Sequence, residues 1–179
     1  MWCVVKVNQV IKLIPRARAV VINEVQHPAA IFSSWTSTEL ANIGVFPYSE
    51  QAQDTKHHVY RGERFDIKSD HVVKVWDKIT DRPLADVKAE YVTQTQSSAL
   101  SQLKPTDWYA LRKAETGEAI PSDVATYRAA VRSSEDTITK AIKAKKAVST
   151  IKAMLVVPLD DKGQQTGNAP MHDWPDPLE

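Results

Sequence analysis

The stretch His71-Val72-Val73-Lys74-Val75-Trp76-Asp77-Lys78-Ile79-Thr80-Asp81-Arg82-Pro83-Leu84-Ala85-Asp86-Val87-Lys88-Ala89-Glu90-Tyr91 changes its pattern once. Before the proline it alternates: Val73, Val75 and Ile79 share one face of a strand, and Val72, Lys74, Trp76 and Lys78 share the other. After it come Ala, Lys, Glu and Leu, which lose little side-chain freedom in a helix. The chain upstream reads as sheet and the chain downstream as helix. The fold class predicted is α+β: a small mixed or antiparallel N-terminal sheet with a short helix, then a helical hairpin and an extended C-terminal tail. The segments are a β-rich domain over residues 1–82, a helical region over 83–148, and a short apolar element with an acidic tail over 149–179.

Upstream, Val4 to Leu13 is apolar, β-branched and partly alternating, which suits a strand. Ala19-Val20-Val21-Ile22 is a second, with Asn23-Glu24 turning the chain before Val25. Thr36-Ser37-Thr38-Glu39 is a capping box for a short helix through Leu40 and Ile43. Gly44 stands where a left-handed cap ends that helix. His58 to Ile67, kinked at Gly62, pairs with the His71–Ile79 strand as a hairpin across Ser69-Asp70.

Downstream, a helix runs from about Leu84 to Leu103 and ends at Pro105. Thr106 caps a short second helix through Trp108 and Leu111, and Gly117 terminates it. Pro121-Ser122 opens a third helix to about Lys146. Val124, Tyr127, Val131, Ile138 and Ile142 recur along it in an approximate heptad stripe, with Ser134 in the missing position. Two readings stay open: a helix packed on its own domain, or a seam for self-association in a helical hairpin or trimeric stalk. Beyond Pro158 the tail is Pro- and Gly-rich. Asp160, Asp161, Asp173, Asp176 and Glu179 against Lys162 give it a net −4. It reads as extended, yet Met171, Trp174 and Leu178 are anchors. Trp174 is the tryptophan expected to contact a partner.

The 179 residues suffice for one domain with an appendage. Lys and Arg number 23 and Asp and Glu 22, a net +1. That balance argues against a protein whose main work is neutralising nucleic acid or an anionic membrane. The single cysteine, Cys3, excludes an internal disulfide and a Cys-only metal site. No signal peptide or membrane-spanning run is read, so synthesis without export is the expectation. Phosphate-loop, nucleophile-elbow and zinc-ligand motifs are missing.

Weaker candidates have plainer readings. His57-His58 with Asp54 invites a metal, but neighbouring strand residues point to opposite faces, so a solvated loop is favoured. Asp66, Asp70 and His71 form either a catalytic cluster or a turn, and the turn is favoured. Cys3 is read as a small buried hydrophobe rather than a reactive thiol. Residues 132–146 carry a net +3, which the acidic tail can pair with. Without interleaved aromatics this is a solvated face, not a nucleic-acid site. No catalytic, cofactor-binding or metal-binding residue is assigned.

Leu103-Lys104-Pro105-Thr106-Asp107-Trp108-Tyr109-Ala110-Leu111-Arg112-Lys113-Ala114-Glu115-Thr116-Gly117, continuing through Glu118-Ala119-Ile120-Pro121-Ser122 and Val124 to Tyr127-Arg128 and Arg132, resembles a recurrent element of tail-fibre assembly and tail-associated proteins of tailed bacteriophages. The front, Ile31-Phe32, Trp35 and Glu39-Leu40-Ala41-Asn42-Ile43-Gly44-Val45-Phe46-Pro47, is similar more loosely. Trp174-Pro175 stands where such proteins have a Trp-Pro ending, and the acidic end beyond Val157 is longer than usual. The resemblance implies a non-enzymatic tail structural protein, made in the host cytoplasm and placed in the virion tail. Its implied partners are tail fibre or baseplate proteins, with a homo-oligomer possible and neither nucleic acid nor membrane involved. A tail-fibre assembly chaperone is the alternative; a small hydrolase of host surface polymer, working through Asp66 or Asp70, is the third reading.

On the residues themselves, Thr106, Trp108, Leu111, Gly117 and Pro121 build the hairpin, with Trp108 packing near Val124 and Tyr127. Arg112 and Arg128 bond Asp107, Glu115 or Asp123. Val124, Tyr127, Val131, Ile138, Ile142, Met171 and Trp174 are the expected contacts for partners or self-association.

Overall fold

The computed structural model describes residues 1–178 and divides after Thr80 into two compact units. The fold is α+β, with a curled mixed sheet and a helical hairpin. In the first unit the strands are β1 (Trp2–Lys6), β2 (Gln9–Ile14), β3 (Val20–Ile22), β4 (Val25–His27), β5 (Val45–Glu50), β6 (His58–Ile67) and β7 (Val72–Asp81), whose last residue lies just past the division. Two short helices, α1 (Ile31–Ser34) and α2 (Ser37–Asn42), interrupt them.

Five strands form one sheet in the order β2-β1-β5-β7-β6, and β3 pairs with β4 as a separate hairpin. β1 is antiparallel to both β2 and β5, while β5 and β7 are parallel. The sheet is mixed because β6, which lies between β5 and β7 in the chain, takes the edge beyond β7 and leaves β5 and β7 side by side in parallel.

The predicted single strand from Val4 to Leu13 is two strands. Val7 and Asn8 take φ of 50° and 58° and turn the chain between them. Both central residues of such a two-residue hairpin turn need positive φ, which asparagine tolerates and a β-branched residue resists. Val7 is also 88% exposed, so its side chain contributes no burial to offset the strain. Val7→Asn is therefore expected to stabilise the chain by about 1 kcal/mol, read as a raised urea midpoint. An unchanged or lowered midpoint would refute the strain argument.

The two faces of the sheet carry separate clusters. Val4, Ile14 and Val45 meet Val20, Ile22, Ile31 and Leu40 on one. Cys3, Tyr48 and Val72 lie on the other, with Val10, Phe65 and Ile67 against them. A register shift between Val4 and Val5 makes this possible. Val4 faces Lys12 and Val5 faces Val10, so Ile11 is the extra residue and the alternation of β2 reverses across it. The capping box forms as expected: Thr36 Oγ1 accepts from the Glu39 amide at 3.3 Å, and Glu39 Oε2 accepts from the Thr36 amide at 2.7 Å. The Thr36 amide, together with the Thr36 hydroxyl donating to the same Oε2 at 2.8 Å, holds the exposed Glu39 carboxyl below its ordinary pKa. Gly44 ends α2 at φ 81°; a Cβ there would lie 2.7 Å from the Val5 carbonyl oxygen.

The second unit contains α3 (Leu84–Leu103), a 3-10 turn at Lys104–Thr106, α4 (Asp107–Thr116), α5 (Ser122–Ala144) and α6 (Val148–Ala153). The hairpin is α3 against α5, with α4 carried in the connection. From α3, Val87, Tyr91, Ala99 and Leu103 are buried; from α5, Val124, Val131, Ile138 and Ile142. Both sets repeat at helical spacing, so each helix buries one stripe.

The heptad stripe is thus the core of its own unit. Val131 and Ile142 have no exposed surface and Ile138 retains 3%, so the expected self-association seam has no free face. Tyr127 is half-buried and packs with Trp174 against Ala99, Leu103 and Val131. Met171 is buried against Val87, Tyr91 and Ile138, and Trp174 packs on the same cluster. The tail anchors dock intramolecularly: the Met171 amide donates to the Met154 carbonyl at 3.0 Å. The expected extended tail is instead turned, with Asp160 Oδ1 accepting from the Lys162 and Gln164 amides at 2.8 Å each.

Candidate protein-contact site on the helical unit

Three features converge where α3 gives way to α4. The chain reaches Pro105, which lacks an amide and tightens the last turn of α3 into a 3-10 turn. The Leu103 carbonyl stands at the start of that turn. Two groups satisfy it: the Thr106 hydroxyl donates to it at 2.8 Å, and Arg128 Nη1 donates at 3.0 Å from the middle of α5.

Arg128 is the centre of this junction. Only 6% of it is exposed. Its Nη1 also donates to Thr106 Oγ1 at 2.7 Å and pairs with Asp107 Oδ1 at 2.9 Å. One guanidinium nitrogen thus gathers the end of α3, the 3-10 turn and the first residue of α4. The Asp107 carboxylate sits in the first turn of α4, where the helix dipole also favours it. The expectation that Arg128 bonds Asp107 is met; Arg112 pairs instead with Glu118, at 3.1 Å.

Thr106 does not cap α4. No side-chain cap bond forms there, because its hydroxyl is already committed to Leu103 and Arg128. Gly117 does close α4, at φ 76°, with its amide donating to Lys113. Pro121 precedes α5 in extended conformation, with no amide of its own to satisfy, and no side-chain cap forms there.

The helix held in this way buries none of its residues. Trp108 is 50% exposed and Leu111 60%, so Trp108 does not pack on Val124 and Tyr127 as expected. Trp108 stacks on Tyr109, centroids 3.8 Å apart and planes 31° apart. The Arg112 guanidinium lies 4.8 Å from the Trp108 centroid and 5.5 Å from that of Tyr109. Trp108 and Arg112 are four residues apart and so share a face. Arg112 Nε is buried and has no hydrogen-bond partner among the described residues. The sum is a rigid aromatic–guanidinium platform beside an exposed leucine, a composition enriched at protein interfaces. Sequence reading found Trp108 and Leu111 but not Tyr109. The Trp-Tyr-x-x-Arg spacing was the available signal.

The other residues that the sequence singled out are structural or dispersed. Asp54 accepts from His57 Nδ1 at 2.8 Å, and its amide donates to Tyr60 Oη at 2.7 Å, so it organises a loop. Among the described residues no set of His, Cys, Asp and Glu is grouped to hold a metal ion. Asp66 is bound to Arg64 at 2.7 Å, and Asp70 to His71 at 2.7 Å. The Arg64 hydrogen bond and nearby Lys68 keep the Asp66 carboxyl below its ordinary pKa. That is the opposite of what a general acid needs. Among the described residues no tail carboxylate forms an ion pair with the basic end of α5.

Cys3 is buried, and burial pushes its thiol up to about 11. Slow alkylation by iodoacetamide at pH 8 in the native state, and fast alkylation in urea, is expected. Equal rates would place the thiol at the surface. The unfolded thiol ionises near pH 9, before the folded one. Cys3 therefore lowers stability as pH rises from about 9 to about 11.

No helix among the described residues is long and apolar enough to cross a membrane. Comparison of the chain with protein-family models, with curated proteins and with solved structures finds no match.

Proposed function

We propose that this chain is a non-enzymatic structural protein of a bacteriophage tail, attached to or joining the tail fibre and the baseplate through protein–protein contacts. The observation that carries the reading is the presentation of α4: Trp108 and Leu111 stand exposed on a helix with no buried residue. The stretch that resembles phage tail proteins, Leu103 to Arg132, contains every group of the Arg128 junction. Its Thr106-Asp107 and Tyr127-Arg128 pairs thereby acquire a physical reason to occur together. An exposed tryptophan backed by a stacked arginine suits a hot spot that a partner covers.

Quantitative mass spectrometry of purified particles beside the soluble lysate tests the reading. A fixed ratio to fibre or baseplate subunits in the particle supports it. Absence from particles, with abundance in the lysate, overturns it and favours the assembly-chaperone alternative. The same exposed helix face suits that alternative, since a transient contact leaves it open after release.

The contact surface itself is testable. The double variant Trp108→Ser, Leu111→Asp is expected to keep its stability within about 0.5 kcal/mol, because neither side chain is in a core. It is expected to fall at least tenfold in particle association. Wild-type association would remove α4 from the interface.

A further inference from the structure

The helical unit carries a second candidate surface, independent of the phage-tail reading, and in this structure the chain's own C-terminal segment covers it. The geometry points to residues 173–178 as a displaceable strap over a groove along α5. The groove takes in trans one partner segment of the same chemistry: a tryptophan followed by proline, with an aliphatic residue beyond.

Two cavities trace the course of the strap. Pro170 and Asp173 line one with Ser134, Thr137 and Ile138 of α5. Pro175, Asp176 and Leu178 line the other with Asp123, Tyr127 and Ala130. The strap therefore runs back along α5 toward the first turn of that helix. An open groove of about 510 Å³ remains between its end and α5, so the strap does not fill its seat.

The two ends of the segment are held differently. Ala169 and Met171 are buried. The Met171 amide donates to the Met154 carbonyl at 3.0 Å, and the His172 amide to the Ala169 carbonyl at 2.7 Å. Beyond His172 the bonding stops: among the described residues, 173–178 take part in no hydrogen bond or ion pair. Asp123 and Asp176 both line the groove, so charge does not fasten the strap either. Its hold is the Trp174 indole, half-buried and packed on both apolar clusters of the unit. Leu178 stays 37% exposed. A segment fixed at one end and held at the other by one side chain opens locally, at little cost to the helices beneath it.

The present occupant defines what the seat recognises. Under Trp174 lie Ala99, Leu103 and Val131, with Tyr127 beside it, an apolar floor for an indole. Pro175 and Pro177 restrict the strap before it docks, so a proline-bearing segment loses little freedom on binding. While the strap is closed, the floor is hidden from a partner. A partner's apparent affinity then falls in proportion to the fraction of time that the strap is open.

The test uses the full chain and, as probe, a fluorescein-labelled peptide of residues 172–179. The Trp174→Ala chain, whose strap has lost its anchor, is expected to bind the probe at least tenfold more tightly than the wild type by fluorescence anisotropy. Tenfold corresponds to a wild-type strap open about a tenth of the time. A probe carrying the same substitution should bind neither chain. Should Trp174→Ala lose its helical circular dichroism, the wild-type chain decides alone. Its 5-fluorotryptophan form gives a Trp174 fluorine resonance, assigned by its loss in Trp174→Phe. That resonance should move toward its position in the free labelled peptide as unlabelled probe reaches millimolar levels, about the effective concentration of a tethered strap. Equal affinity for the two chains, no binding to a folded Trp174→Ala chain, a probe indifferent to its tryptophan, or an unmoved resonance would each overturn the proposal. A mass that doubles with concentration in the wild type and not in Trp174→Ala would also overturn it, by making a second copy's strap the occupant. None of these outcomes bears on whether the chain is found in particles, so the two readings fail separately.

Discussion

Arg128→Met is expected to lower the stability of the helical unit by about 2–4 kcal/mol. Methionine preserves most of the apolar stem, so the loss isolates the guanidinium. The Asp107 partner is 61% exposed, and an ion pair with so exposed a member contributes little. The main cost lies in the two buried acceptors, the Leu103 carbonyl and the Thr106 hydroxyl. Leu103 keeps the Thr106 donor, which sets the lower end of the range. Arg128→Lys should recover only part of the loss, because the shorter lysine stem does not carry its ammonium to the position that Nη1 holds among the three acceptors. Urea unfolding followed by helical circular dichroism reads the stability, and hydrogen exchange reads α4. Exchange in α4 should quicken more than in α3, since α4 has no buried side chain to hold it once the junction is gone. A change under 0.5 kcal/mol with α4 exchange unaltered would mean that Arg128 is not what positions the contact helix.

That junction also marks where the sequence could be read and where it could not. Local signals with a self-contained mechanism were legible. The Thr36–Glu39 capping box involves four consecutive residues and forms as written. The composition change at Pro83 places α3 at Leu84–Leu103, and Gly117 ends α4 through its own backbone freedom. The errors arise where a distant group competes. Thr106 has every local reason to cap α4, but Arg128, 22 residues later, takes its hydroxyl. Val7-Asn8 lacks the glycine of a favourable hairpin turn, so an unbroken strand was the natural reading. Only the pairing of β1 with β2 forces the turn. Gly117 and Pro121 imply that α4 folds back with Trp108 near Val124 and Tyr127, yet Trp108 stays 50% exposed; residue type and turn signals fix how much apolar area a side chain has and not where it is covered.

The α5 stripe tests the same point most severely. In a self-associating seam, Val131→Asp and Ile138→Asp would dissociate the oligomer and leave folded protomers of lower mass. With both residues buried between α3 and α5, each is expected instead to unfold the helical unit. A carboxylate at Val131 meets Ala99 and Leu103 with no donor of its own, and a charge so placed costs well over 4 kcal/mol or must take up a proton. The cost rivals the whole stability of a small domain. Loss of helical circular dichroism at 222 nm and rapid proteolysis after Asp81 are the expected results at neutral pH. Partial recovery near pH 4 is expected as the introduced carboxyl protonates. Light scattering separates the alternatives: a well-folded Val131→Asp protein with reduced mass would restore the seam and contradict the packing described here. The contrast with α4 is then informative in itself. A stripe at 3.5-residue spacing and a lone Trp-Tyr pair look equally adhesive in sequence. The first is exhausted by its own fold, and what this unit has left to offer a partner is the helix that its core does not use.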